Sequence, residues 1–186
     1  MDESVMLRLM PLSEATWLLA GGRPQDGSWH PEYPLDGDQR ACGGYVDRAT
    51  KDRATKDRAT KDRATEDPSA AHPFGYYQVL RNGVVIGGAG FHSPPASGVV
   101  EIGYGIVPAE RGRGSATAAL RMLLAIATEA NADPHAVAGV ELVIGSADHG
   151  NEASQRVMLA AGMRCDGPGT DEMGEAIVRF SWDVPV

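Results

Sequence analysis

Residues 99–119 read VVEIGYGIVPAERGRGSATAA, and this stretch decides how the chain folds. Val99, Val100, Ile102, Tyr104, Ile106 and Val107 are the β-branched and aromatic residues of a strand. Pro108 has no amide hydrogen to give a sheet ladder and marks the strand's end. Arg111, Gly112, Arg113 and Gly114 then turn the chain, and from Ser115 an alanine- and leucine-rich segment has the spacing of a helix that buries one face. At such a helix N-terminus the first amides lack intrahelical partners and the macrodipole is positive, so a phosphate is a natural guest. Gly-rich strand-to-helix turns also occur without any ligand, so the turn alone reads either as an anion site or as plain structure. No G-x-x-x-x-G-K-[ST] is present, and Ser115-Ala116-Thr117 after Gly114 omits the third glycine of a dinucleotide fingerprint.

Downstream, the helix is expected to run to about Ala130, with Leu120, Leu123, Leu124 and Ala127 turned inward and residues 131–134 as its stop. A strand over 137–144, a loop over 145–150 and a helix over 152–161 follow, the helix capped by Asn151 and closed by Gly162. Residues 163–174 read as turn-rich, and 175–182 as a final strand. Upstream, 76–81 and 84–92 alternate as strands around Asn82-Gly83, a strong hairpin signal, so with the strand from Val99 they make a three-stranded antiparallel meander. A first strand over 5–9 precedes a helix with Ser13 as N-cap, ended by Gly21-Gly22. Residues 23–44 carry no clear period and read as irregular or partly helical. The expected class is α/β (α+β): a mixed, mostly antiparallel sheet flanked by helices, in one domain spanning 1–186.

Residues 47–67 depart from this pattern. They read DRATK three times, then DRATE and Asp67, and hold every lysine of the chain. A five-residue period matches neither helix nor strand, so no face becomes apolar and the segment cannot form core. Asp47/Lys51, Asp52/Lys56 and Asp57/Lys61 are i,i+4 acid-before-base pairs, each worth about 0.2–0.5 kcal/mol if helical. The expectation is a low-complexity, solvated insertion, disordered or a frayed helix.

The formal net charge of −8 argues against a nucleic-acid binder and fits a cationic acceptor or simple solubility. No apolar run is long enough to span a bilayer, and no positively charged start leads into an apolar core at Met1-Asp2-Glu3-Ser4, so a cytoplasmic protein with no membrane partner is expected. Cys42 and Cys165 lie far apart and suggest neither zinc nor disulfide. His30, His72, His92, His135 and His149 have no metal-ligand spacing and read as surface or core histidines, with His149 singled out because it shares the Asn151 loop; no metal is expected.

Three groups of residues together resemble the GCN5-related N-acetyltransferases, in the branch of the ribosomal-protein alanine acetyltransferases. They are Glu101-Ile102-Gly103-Tyr104, the turn from Arg111 to Thr117, and Asn151-Glu152-Ala153-Ser154 with Ala161-Gly162-Met163. The order and spacing fit from about Val5 to Trp182 apart from the repeat; Met163 stands where the family usually has Phe. The resemblance implies acetyl-CoA as co-substrate. Arg111, Gly114 and Ala116 take the three positions of the family's R/Q-x-x-G-x-G/A turn, so the amides of Arg111, Gly112, Arg113, Gly114, Ser115, Ala116 and Thr117 would hold the pyrophosphate. Ile106 and Val107 would pair with the pantetheine arm, and Asn151 would reach it while also capping its helix. Glu101 is the implied base and Ser154 the implied hydroxyl near the sulfur. Against these stand plainer readings: Glu101 as a strand-edge charge, Ser154 satisfying its own helix turn, Tyr104 packing in the core. Trp29, His30 and Tyr33 fall where this fold shapes its acceptor pocket. The implied acceptor is a primary amine of a small molecule or a protein N-terminus, for a monomer or homodimer. The competing reading is a non-catalytic acyl-CoA-binding regulatory module.

Overall fold

The computed structural model describes residues 4–59, 73–132 and 139–185. Its elements in order are β1 (Val5–Leu9), α1 (Leu12–Leu19), α2 (Asp36–Ala59), β2 (Tyr76–Arg81), β3 (Val84–Phe91), β4 (Val99–Ile106), α3 (Ser115–Ala132), β5 (Leu142–Asp148), α4 (Glu152–Ala161), β6 (Arg164–Thr170) and β7 (Ala176–Asp183). They build one seven-stranded sheet in the order β1-β2-β3-β4-β5-β7-β6. The meander β2-β3-β4 is antiparallel as its turn signals require, with Asn82 (φ 51°) and Gly83 (φ 82°) both left-handed in the hairpin. β4 and β5 are the parallel pair, and α3 is the crossover between them.

Helices cover both faces. α3 lays Ala119, Leu120, Leu123, Leu124 and Ala127, all buried, over β1, β3 and β4. Each such leucine contributes about 1.5–3 kcal/mol by leaving water. α2 packs on the opposite face against β2, β3 and β4, and α1 packs on α2.

Three local readings are corrected. α1 starts at Leu12 with Pro11 in the cap position and no side-chain cap, so Ser13 lies inside the helix. Residues 164–170, expected as turn, form β6, because a strand at the sheet's edge tolerates the missing amide of Pro168 and the flexibility of Gly167 and Gly169. β5 runs on to Asp148 through the expected loop, held there by β7; residues 133–138 lie outside the described residues. α2 begins within the stretch read as irregular or partly helical, and carries the first two and a half repeats as helix to Ala59. The rest of the repeat lies outside the described residues.

Candidate active site

The register of the parallel pair opens the site. β4 and β5 are paired only at Val99–Leu142, Val100–Val143 and Glu101–Ile144. Beyond Glu101, β4 continues bonded to β3 and β5 continues bonded to β7, so the sheet splits between them. A cavity of about 800 Å³ occupies the split and draws on both faces. Asp38 of α2, Gly88, His92, Glu101 and Gly103 line one side; Tyr104, Asn151, Ser154 and Met158 line the other.

Strand alternation decides which backbone groups look into the split. The Glu101 carbonyl accepts from His92 N–H (2.8 Å) and the Val107 amide donates to Ile86 O (2.9 Å), so odd-numbered residues of β4 are spent on β3. The amides of Tyr104 and Ile106 therefore face the split. Of the two residues expected to pair with an extended ligand, Ile106 presents its amide, its carbonyl being engaged by Arg111 Nε, while the Val107 amide is committed to β3.

At the end of β4 a short 3-10 turn, Pro108–Glu110, leads into the arginine-glycine turn. Gly112 (φ 75°) and Gly114 (φ 79°) are both left-handed, which is what swings the chain into α3. Arg111 Nε donates to the Ile106 carbonyl (2.9 Å), and Arg113 pairs with Glu110 (3.2 Å), so the two arginines brace the turn. Ser115 is buried with its hydroxyl engaged by Arg81 Nη1 (3.0 Å), leaving its amide as the group on offer. The first bond into α3 runs from Ala118 N–H to Gly114 O (3.0 Å), and among the described residues the amides from Gly112 to Thr117 have no acceptor. Six open amides on a positive helix terminus are backbone donors of the kind that suits an anion.

α4 is capped as expected: Asn151 Oδ1 accepts from Ser154 N–H (3.1 Å), and Gly162 closes the helix at φ 105°. Ser154 Oγ lies 2.6 Å from the Tyr104 hydroxyl, so Tyr104 packs its ring on the core but brings its polar end into the cavity. Burial pushes that phenol above its ordinary pKa, partly offset by the Ser154 hydrogen bond. Glu101 lies beside His92, Nδ1 to Oε2 3.4 Å, and the hydrogen bond from His92 holds its carboxyl below the usual range despite partial burial.

Trp29, His30 and Tyr33, expected where an acceptor pocket is shaped, do not line this cavity, whereas the neighbouring Leu35 does. Trp29 and Tyr33 are core residues in an edge-to-face chain, Trp17 to Trp29 (5.9 Å) and Trp29 to Tyr33 (5.0 Å). One wall of the cavity comes from α2, where Gly37, Ala41 and Gly44 line it. Their spacing of four and three residues was the available signal for a helix face of small residues. Asp38, buried on that wall, accepts from Leu35 N–H (2.8 Å) and from the Tyr76 hydroxyl (3.0 Å), which itself meets the Tyr33 hydroxyl (3.0 Å). Gly88 must lack a side chain there, since a Cβ would run into the Tyr76 hydroxyl and Asp38 Oδ1. Burial raises the Asp38 pKa to about 6.

His30 lies at a smaller cleft with Arg81 and Arg113, and His149 beside Asn151; His72 and His135 lie outside the described residues. Among the described residues no three His, Cys, Asp or Glu side chains are grouped to hold a metal, and no helix is long and apolar enough to cross a membrane.

A family model described as an acetyltransferase (GNAT) domain matches residues 23–164. No curated protein matches the chain. Among solved structures, the ribosomal-protein-S5-alanine acetyltransferase from Vibrio fischeri superposes with a TM-score of 0.61 at 15% identity, covering 98% of this chain and 94% of that one. A GNAT-family acetyltransferase from Streptococcus pneumoniae gives 0.61 at 11% identity, covering 98% and 100%. An aminoglycoside acetyltransferase in complex with coenzyme A and kanamycin gives 0.58 at 20% identity, covering 97% and 95%.

Proposed function

Since the chain belongs to the GNAT acetyltransferase family, we propose that it transfers an acetyl group from acetyl-CoA directly to a primary amine, of a small molecule or a protein N-terminus. The observation that carries this reading is the continuity between the arginine-glycine turn and the split. From Ile102 to Ile106 the open edge of β4 runs about 13 Å, enough to pair with an extended arm as a further strand would. The open amides begin just beyond it, on the turn that Arg111 ties to Ile106. The aminoglycoside acetyltransferase of the same fold is solved with coenzyme A bound.

In this reading the pyrophosphate sits on the amides between Arg111 and Thr117, the arm lies along β4 beside Asn151, and the thioester reaches the point where β4 leaves β5. A neutral amine arriving from the α2 side attacks the thioester carbonyl. The C–N bond forms, the C–S bond breaks, the amine's proton leaves on the Glu101 side, and the departing thiolate is met by the Ser154 hydroxyl. Holding both reactants in one cavity supplies much of the acceleration.

The test is thiol release from acetyl-CoA with a panel of peptides, small amines and aminated antibiotics. Turnover with at least one acceptor is expected; tight CoA binding with no turnover across the panel would make the protein a binding module. Ser154→Ala should lower kcat about 10-fold with CoA affinity unchanged, a modest loss because the Tyr104 hydroxyl remains beside the gap. An unchanged kcat would remove Ser154 from the reaction.

A further inference from the structure

His92 and Glu101 face each other across the end of the β3–β4 ladder. The backbone bond from His92 N–H to Glu101 O (2.8 Å) sets residue 92 opposite residue 101, so their side chains leave the sheet on the same face and meet, Nδ1 to Oε2 3.4 Å. Both line the cavity. The imidazole's other nitrogen is aimed at the place where the sheet splits: a Cβ built on Gly103 would lie 2.6 Å from His92 Nε2. Glycine at 103 thus leaves the Nε2 edge lying over bare backbone, two residues past the last β4–β5 pair.

We propose that His92 is the catalytic base and Glu101 a positioning residue that acts through it, an inference that rests on the acetyl-transfer reading above. A carboxylate at Nδ1 holds the proton on that nitrogen and leaves the Nε2 lone pair free, the logic by which a carboxylate orients a histidine base. As the amine nitrogen bonds to the acetyl carbon, its proton passes to Nε2, and the C–S electron pair leaves with the thiolate, which accepts a hydrogen bond from the Ser154 hydroxyl and takes its proton from solvent. The imidazolium formed at His92 is stabilised by the Glu101 carboxylate and returns its proton to solvent. Glu101 alone is a weaker candidate, because the same hydrogen bond from His92 that orients the ring keeps its carboxyl below the usual range and so lowers its basicity.

His92 is 54% exposed, so its replacement leaves the core intact. In steady-state assays His92→Ala should lower kcat about 100-fold with the KM for acetyl-CoA unchanged, and added imidazole should restore part of the loss. Glu101→Gln should cost about 10-fold, and the double variant should be no slower than His92→Ala, as for two residues acting in series. A full rate in His92→Ala, or a double variant whose losses multiply, would overturn the dyad while leaving the acetyltransferase reading in place. Nitrogen-15 NMR of the imidazole needs no acceptor. Neutral His92 should carry its proton on Nδ1 in the wild-type protein and shift toward Nε2–H in Glu101→Gln; Nε2–H in the wild type would overturn the proposal even if no acceptor had been found.

Discussion

Replacing Gly114 with valine is expected to raise the Kd for coenzyme A about 1,000-fold, because the proposed pyrophosphate cradle is made of backbone whose direction depends on that residue. Gly114 sits at φ 79°, and no atom lies near the position a Cβ would take. The substitution therefore acts through conformation. A β-branched residue in the left-handed region costs about 1–2 kcal/mol, which the turn relieves by rotating away from that geometry. Rotation swings the amides of Ser115 and Ala116 off the pyrophosphate. Charge-assisted hydrogen bonds are worth about 1.5–3 kcal/mol each, so losing two costs about 4 kcal/mol, the 1,000-fold.

The measurement is calorimetric titration with coenzyme A, set against thermal unfolding of the same variant. Strain of this size lowers the midpoint by about 5 °C in a chain of this length. Gly21 supplies the control: it ends α1 at φ 83°, also with nothing near its Cβ position. Gly21→Val should show a similar stability loss with coenzyme A affinity unchanged. If Gly114→Val loses stability but binds coenzyme A like the wild type, the turn is structural and the anion reading fails.

The parts of the fold that could be read from sequence are those where local chemistry and tertiary context agree. Asn82-Gly83 announced the hairpin, the spacing of Leu120, Leu123, Leu124 and Ala127 gave α3, and Asn151 and Gly162 bracketed α4, each a signal carried within a few residues. α2 was legible only as an open alternative, partly helical or irregular, because its helical state depends on packing: Gly37, Gly43 and Gly44 are poor helix formers, and the repeat that follows has no apolar face. β6 was hidden for the opposite reason, since Gly167-Pro168-Gly169 is tolerated only by its edge position. Glu101, Ser154 and the turn stood out through their resemblance to the family's motifs. The meeting of Tyr104 with Ser154, of His92 with Glu101, and of Asp38 with Tyr76 did not, because each joins residues set side by side by the sheet register or helix docking. A single chain's sequence holds no signal for such pairs.

Asp38→Asn is expected to stabilise the protein at neutral pH by up to about 3 kcal/mol, and the gain should vanish in acid. Burial raises the Asp38 pKa from 3.8 to about 6, so the folded state disfavours the ionised form. Between those two values the folded protein binds more protons at this site than the unfolded chain, which makes the contribution to stability fall as pH rises. Below about pH 4 the group is protonated in both states and costs nothing; above about pH 6 the whole penalty is present, roughly two pKa units or about 3 kcal/mol. Asparagine keeps the volume, and its Oδ1 can still accept from Leu35 N–H to hold the start of α2. Glu101 and Asp166 are held below their usual values and pull the other way with pH, so the wild-type curve alone mixes opposite signs. The difference between wild type and variant isolates Asp38. Denaturant unfolding at intervals from pH 4 to pH 7.5 should show the variant's advantage near zero at the acid end, growing through pH 5 and level above pH 6.5. An advantage that is constant with pH would mean the gain is packing, and a variant less stable at pH 7 would mean that the hydrogen bonds from Tyr76 and Leu35 outweigh the burial of the charge.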